Sequence, residues 1–192
     1  MDKNVYRFLV WTAIVMTVAW VGWSIYDSMI SPRQPGDMAY LEGNNLFEDG
    51  EYQRALVKYD EALGIVPDHI HALRARARSL MQLGQSAQAL ATFNTVISLE
   101  PDFAASYANR GILHDRKGRY EKAIEDYERA IALDAEIAEG PHWLTRFLRN
   151  QPEKPPDIAE RAAYLRKELA KPESERLLRV PEVDAEQRTY KQ

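Results

Sequence analysis

The chain has 192 residues, 45% of them hydrophobic, and its 29 acidic against 25 basic side chains give a formal net charge of −4. One domain of ordinary size, with a modest core, is the expectation for that length. The absence of cysteine excludes disulfide frameworks, thiolate nucleophiles and cysteine-based zinc sites. Without a basic excess to track a phosphate backbone, nucleic acid is not an expected partner.

Residues 1–7 form a short polar tail, and Phe8 to Tyr26 then run 19 residues without a charge. As a helix this stretch is about 28 Å long, close to the thickness of a bilayer's hydrocarbon core. Trp11 toward one end and Trp20, Trp23 and Tyr26 toward the other are placed for the two membrane interfaces. Residues 8–30 are therefore expected to be a single transmembrane signal anchor. Two rivals exist. A cleavable signal peptide would have a shorter apolar run and small residues before the cut, where this chain has large aromatics. A buried core helix needs a cavity that a short domain lacks. The amino terminus, Lys3 and Arg7 outweigh Arg33 set against Asp27 and Asp37. That balance predicts a cytoplasmic amino terminus and, in a bacterium, a periplasmic body on the inner membrane. Residues 31–36, Ser-Pro-Arg-Gln-Pro-Gly, read as the linker that stops the helix.

A pattern then repeats every 34 residues: Gly50, Gly84 and Gly118; Ala55, Ala89 and Ala123; Tyr59, Phe93 and Tyr127; and Pro67 and Pro101, with Ala135 in the third place. Glycine lets the chain leave one helix, alanine permits close crossing, an aromatic fills the gap, and proline opens the next unit. No such hairpin buries its apolar face alone, so stacking is expected. Helices are predicted near Asp37 to Glu48, Tyr52 to Gly64, His71 to Leu83, Ser86 to Leu99, Ala104 to Lys117 and Tyr120 to Leu133.

These blocks resemble the tetratricopeptide repeat (TPR) over about residues 36 to 138. The signature's small residue at position 8 is Gly43, Ala77 and Gly111, and its large residue at position 11 is Leu46, Leu80 and His114. The departures are His114 in an apolar column, Val96 for alanine at position 27, Ala135 for proline, and the charges Glu42, Arg76 and Arg110 at position 7. The resemblance implies an all-α solenoid of three hairpins, about 36–69, 70–103 and 104–137, together spanning 37–135. It also implies a concave groove lined by each first helix. Carried over by position, that groove takes Tyr40, Asn44 and Phe47 from the first copy, Arg74, Arg78 and Met81 from the second, and Asn109 and Ile112 from the third.

Arg74 and Arg78, four apart on one helix face, can receive a carboxylate or a peptide backbone. They partly resemble the carboxylate clamp of chaperone-binding TPR proteins, with Asn44 and Asn109 at asparagine positions. Tyr40 stands where that clamp has lysine, and Ala105 and Asn109 where it has cations. The bland alternative is that both arginines are solvated or paired with Glu42, Glu48 or Asp115. Glu42 and Arg76 are candidates for a pair across a repeat seam.

Residues 138–150 are expected to form a capping helix begun by Pro141, with Trp143 and Phe147 on one stripe covering the third repeat. A partner-binding patch is the alternative. Residues 151–156 form a proline-rich break. Asp157 can cap an amphipathic helix over 157–171 through Ile158, Ala162, Leu165 and Leu169. Residues 172–192 read as an extended tail that is mobile on its own.

The four histidines have no spacing suited to a metal set, no glycine-rich phosphate loop follows a strand, and no serine or threonine has a credible base. The expectation is a non-enzymatic, membrane-anchored scaffold or assembly factor without cofactor or metal, binding protein partners in the groove and lipid through residues 8–26. A constitutive subunit of a large membrane enzyme, held by anchor and tail, is one alternative. A cytosol-facing import or chaperone receptor is the other.

Overall fold

The computed structural model describes residues 2–30, 34–138, 157–179 and 190 and, among them, eight α-helices. The first, α1 (Lys3–Ile30), exposes every side chain described on it. Its Lys3–Tyr26 stretch has a mean hydropathy of 1.8 and is long and apolar enough to cross a membrane. With none of that surface covered, the buried core helix is ruled out. Thr12 and Thr17 turn their hydroxyls back onto the carbonyls of Phe8 and Ala13 at 2.9 and 2.8 Å, so neither presents an unmet polar group on the apolar cylinder.

Three hairpins follow: α2 (Asp37–Glu48) with α3 (Tyr52–Ile65), α4 (Ile70–Gln82) with α5 (Ser86–Leu99), and α6 (Ala104–Arg116) with α7 (Tyr120–Leu133). Each end lies within one residue of its sequence expectation. The turns show why. Gly50, Gly84 and Gly118 sit at φ of 79°, 72° and 70°, a left-handed conformation that costs other residues free energy. The residue after each glycine then donates its amide back to the carbonyl of Leu46, Leu80 or His114 at 2.8 to 2.9 Å, closing the helix end.

Within each hairpin, position 8 faces the aromatic at position 24. A Cβ on Gly43 would lie 2.6 Å from the Tyr59 ring, and one on Gly111 2.7 Å from Tyr127. Both tyrosines are tethered through their hydroxyls, Tyr59 to Asn44 Oδ1 at 2.9 Å and Tyr127 to Asp115 Oδ2 at 3.3 Å. In the second copy the aromatic is Phe93, which has no hydroxyl to tether, and position 8 there is Ala77, fully buried. Glycine thus stands opposite each hydroxyl-tethered tyrosine, and alanine is the residue at that position in the copy with phenylalanine.

The position 7 charges do not pair with each other, contrary to the sequence reading of Glu42 and Arg76. Glu42 meets Lys58 at 2.9 Å within its own hairpin. Arg76 instead bonds Asp60 of the preceding hairpin at 2.6 Å and Thr92 of its own at 2.9 Å. Arg110 repeats that geometry one copy later, forking onto Asp126 at 2.6 and 2.8 Å and reaching back to Asn94 at 2.8 Å. Arginine at position 7 is thus a stitch between successive hairpins.

A 3-10 turn, Ala135–Ala138, follows α7. The capping helix expected over 138–150 and the break at 151–156 fall, beyond Ala138, outside the described residues. Among the described residues the third hairpin is closed by α8 (Ile158–Leu169), which packs on α7. Asp157 opens α8 with a capping box: its carboxylate accepts from the Glu160 amide at 2.8 Å, and Glu160 reaches back to the Asp157 amide at 3.4 Å. Ile158, Ala162 and Leu165 join a core that runs continuously through the second and third hairpins. The first hairpin contributes little to it beyond Leu56, and holds two smaller clusters around Ala39 and Tyr59.

Candidate partner-binding groove

The residues predicted for the groove have three fates. Tyr40, Asn44, Phe47, Arg74 and Arg78 are half-buried, whereas Met81, Asn109 and Ile112 are buried at 3%, 2% and 1% exposure. Met81 and Ile112 belong to the main core. Asn44 spends its side-chain oxygen on Tyr59. Asn109 is committed to the main chain of Tyr190.

The two arginines lie on α4, one turn apart. Arg74 forms an ion pair with Glu100 and stacks its guanidinium 3.5 Å from the centre of the Phe103 ring. Arg78 lies 5.1 Å over Phe47. The pairing partners expected from sequence do not include Glu100. Of those that were expected, Glu42 is taken by Lys58 and Asp115 by Arg161, while Glu48 lies near enough to Arg78 to favour its charged form. Burial lowers the pKa of both guanidiniums below the ordinary arginine value. Arg74 Nε and Arg78 Nη1 are buried without a hydrogen-bond partner. Buried donors in that state are costly unless an acceptor reaches them.

Aromatic rings crowd the same end. Tyr40 lies 5.4 Å from the His69 ring and 6.0 Å from His71. His69 takes its first-turn role through Nδ1, which accepts from the Ala72 amide at 3.3 Å, while Nε2 faces Asp37 Oδ1 at 2.9 Å. With Nδ1 accepting, the proton belongs on Nε2, and the ring ties the first hairpin to the second. That hydrogen bond to His69 holds the Asp37 carboxyl below its usual pKa. The pKa of His71 is lowered by burial and by the neighbouring Arg74 charge.

At the third hairpin the face is occupied by the chain itself. Arg161 of α8 forks onto Asp115 at 2.7 and 2.8 Å, both side chains almost fully buried, and donates to the Leu178 carbonyl at 3.1 Å. Arg179 reaches the Arg116 carbonyl at 3.2 Å. The side-chain amide of Asn109 reads both main-chain groups of Tyr190: its Nδ2 donates to the Tyr190 carbonyl and its Oδ1 accepts the Tyr190 amide, each at 2.8 Å. Tyr190, Tyr40, His71, Arg74, Arg78 and Phe103 line one cavity of about 60 Å³. Burial pushes the Tyr190 phenol up to about 12, the Asp157 carboxylate adds to that rise, and the Ile158 backbone amide opposes it. Leu178 and Tyr190 of the tail both pack against the main core. Sequence reasoning missed Phe103, Glu100, Arg161 and Tyr190; only Arg161 carried a signal, as a charged residue on the apolar stripe of a helix with a recognisable cap.

Among the described residues, no grouping of three or more histidine, aspartate or glutamate side chains is placed to hold a metal ion. Stacked helix pairs that present a concave face of aromatic, guanidinium and amide groups define a protein-interaction solenoid.

Residues 74–137 match the family model described as tetratricopeptide repeat, so that stretch of the chain carries tetratricopeptide repeats. Among curated proteins the chain is 33% identical over 110 residues, 55% of this chain, to the DnaJ homolog subfamily C member 7 homolog of Schizosaccharomyces pombe. It spans only 23% of that relative and 19% of the Dictyostelium discoideum counterpart. Among solved structures, the first TPR of Spaghetti (RPAP3) bound to the HSP90 peptide SRMEEVD superposes with a TM-score of 0.53 at 23% identity, covering 70% of this chain and 98% of that one. The Sgt2 TPR domain from Aspergillus fumigatus gives 0.54 at 22%, covering 75% and 89%. At that identity the two structures speak for the fold alone.

Proposed function

We propose that this chain is a non-enzymatic, membrane-anchored scaffold or assembly factor that captures an extended segment of a protein partner beside the bilayer. The observation that carries the reading is the Asn109 amide holding both main-chain groups of another residue in the groove. Such a contact selects an extended backbone rather than a particular side chain. The buried unpaired nitrogens of Arg74 and Arg78 supply donors for a carbonyl or carboxylate of the same segment. The first TPR of Spaghetti, whose structure holds a peptide, supports the general mode. The peptide's identity does not transfer, because Tyr40 and Ala105 replace the cations of the carboxylate clamp. Lipid is the second partner: α1, exposed along its described length and flanked by interfacial Trp11, Trp20, Trp23 and Tyr26, is suited to a bilayer. The cationic amino terminus favours a cytoplasmic start and a periplasmic groove at a bacterial inner membrane. Anchoring raises the effective concentration of groove and partner at that surface.

Two measurements test this. A reporter active only outside the cytoplasm, fused after Gln192, should be active, and the chain should resist alkaline extraction from membranes; extraction into the soluble fraction contradicts the anchor. Affinity purification in mild detergent should retain protein partners that the Arg74→Ala/Arg78→Ala double variant loses. An unchanged set of partners removes the groove from the account.

A further inference from the structure

Asn109 is 2% exposed, and its side-chain amide is satisfied by the main chain of Tyr190, 81 residues away. Both polar groups of that carboxamide are thereby met where it is buried. The residue that meets them is specific in its other contacts. The Tyr190 ring packs against the main core and lines the cavity of Arg74, Arg78 and Phe103. Its hydroxyl lies by the Ile158 amide at the start of α8. The chain is held nearby as well, because Arg179, eleven residues earlier, donates to the Arg116 carbonyl.

We propose that Tyr190 is an intramolecular ligand of the groove, and that a partner enters by displacing it with an extended backbone on Asn109 and an aromatic side chain in its place. This rests on the reading of the concave face as a partner-binding groove. It adds that the free chain is self-occupied and that the competing segment is aromatic. A tethered segment sees its site at an effective concentration of about a millimolar, and only the unoccupied fraction of the groove is available to a free competitor. A cis affinity of about 100 µM therefore weakens binding in trans by about tenfold.

The test uses a fluorescently labelled peptide of residues 183–192, titrated in detergent into the full chain and into a chain ending at Arg179. The peptide should bind the shortened chain at least tenfold more tightly than the full chain. Asn109→Ala in the shortened chain should abolish binding, and Tyr190→Ala in the peptide should weaken it by about tenfold. Tyr190→Ala in the otherwise full chain should open the groove to the wild-type peptide, a check that does not depend on truncation. Equal affinity for the two chains overturns the proposal, as does absence of binding to the shortened one. So does a concentration-dependent dimer that Tyr190→Ala dissolves, which would place the contact between two copies. If the peptide fails while the Arg74→Ala/Arg78→Ala variant still loses its copurifying partners, the intramolecular ligand falls and the groove stands. If the peptide binds while copurification ignores both arginines, the partner-binding reading falls and the self-contact stands.

Discussion

The first and third hairpins carry the same repeat chemistry and meet different surroundings. At the first, Tyr40 and Phe47 remain half-buried, Leu41 and Met38 are exposed, and the local core is two small clusters. At the third, Ala105, Ala108, Asn109, Ile112 and Asp115 of α6 are all buried, and α8, Leu178 and Tyr190 pack beside them. A repeat therefore does not decide whether its concave face is open; the segment that follows it does. The amide at position 6 of the third copy and the carboxylate at position 12 are spent on the chain's own residues. The guanidiniums at positions 5 and 9 of the second copy keep unmet donors.

The sharpest way to break this asymmetry is Arg161→Ala. It strands the buried Asp115 carboxylate beside Tyr127, and loss of one partner of such a pair costs about 3–5 kcal/mol. Urea unfolding of the full chain in detergent should show a loss of that size. Lys58→Ala in the first hairpin removes exposed pairs with Glu42 and Glu61 and should cost less than about 1 kcal/mol.

Gly111→Ala comes next, at about 1–3 kcal/mol, because its Cβ meets a ring that cannot retreat. In a Tyr127→Phe background, which cuts the tether to Asp115, the same change should cost less, and a double-mutant cycle reads the difference. Equal costs in both backgrounds would refute the tether as the reason for glycine.

Acidification should destabilise the fold. The pKa of His71 and of His114 is lowered in the fold, chiefly by burial, with Asp37 opposing at the first and Asp126 at the second. Below the ordinary histidine value of 6.5 the unfolded chain binds more protons than the folded one, so stability falls as pH drops through that value toward the depressed pKa. Urea midpoints at neutral and mildly acidic pH should show the fall, and His114→Gln should reduce it. A midpoint that rises on acidification contradicts the assignment.

Arg166→Ala, which removes an exposed fork onto Glu128, has the smallest effect, under about 1 kcal/mol in the same unfolding assay.

Most of the helical architecture was legible because it is written locally. Glycine at a fixed period marks each turn, alanine and an aromatic mark each crossing, and Asp157 marks the start of α8. The site was legible only in part. Position arithmetic located Arg74, Arg78 and Asn109 on the groove-facing helices. Their partners are Glu100 and Phe103, beyond the α5 helix, and Tyr190, 81 residues on. Pairing over such separations is set by how the tail folds back, and no local spacing encodes it. Asp115 illustrates the same limit: it reads as a candidate partner of Arg74 or Arg78 until Arg161, 46 residues later, claims it. Arg76 was assigned to the wrong acid because two seam partners, Asp60 and Thr92, stand 16 residues to either side of it.

Amide hydrogen exchange at Tyr190, measured on the full chain in detergent, probes most directly whether the concave face holds an extended backbone through Asn109. The Tyr190 amide should exchange more than tenfold more slowly in the wild type than in Asn109→Ala. An unprotected rate in both would mean that the amide of Asn109 grips no backbone, and that the groove is not the polypeptide-binding surface described here.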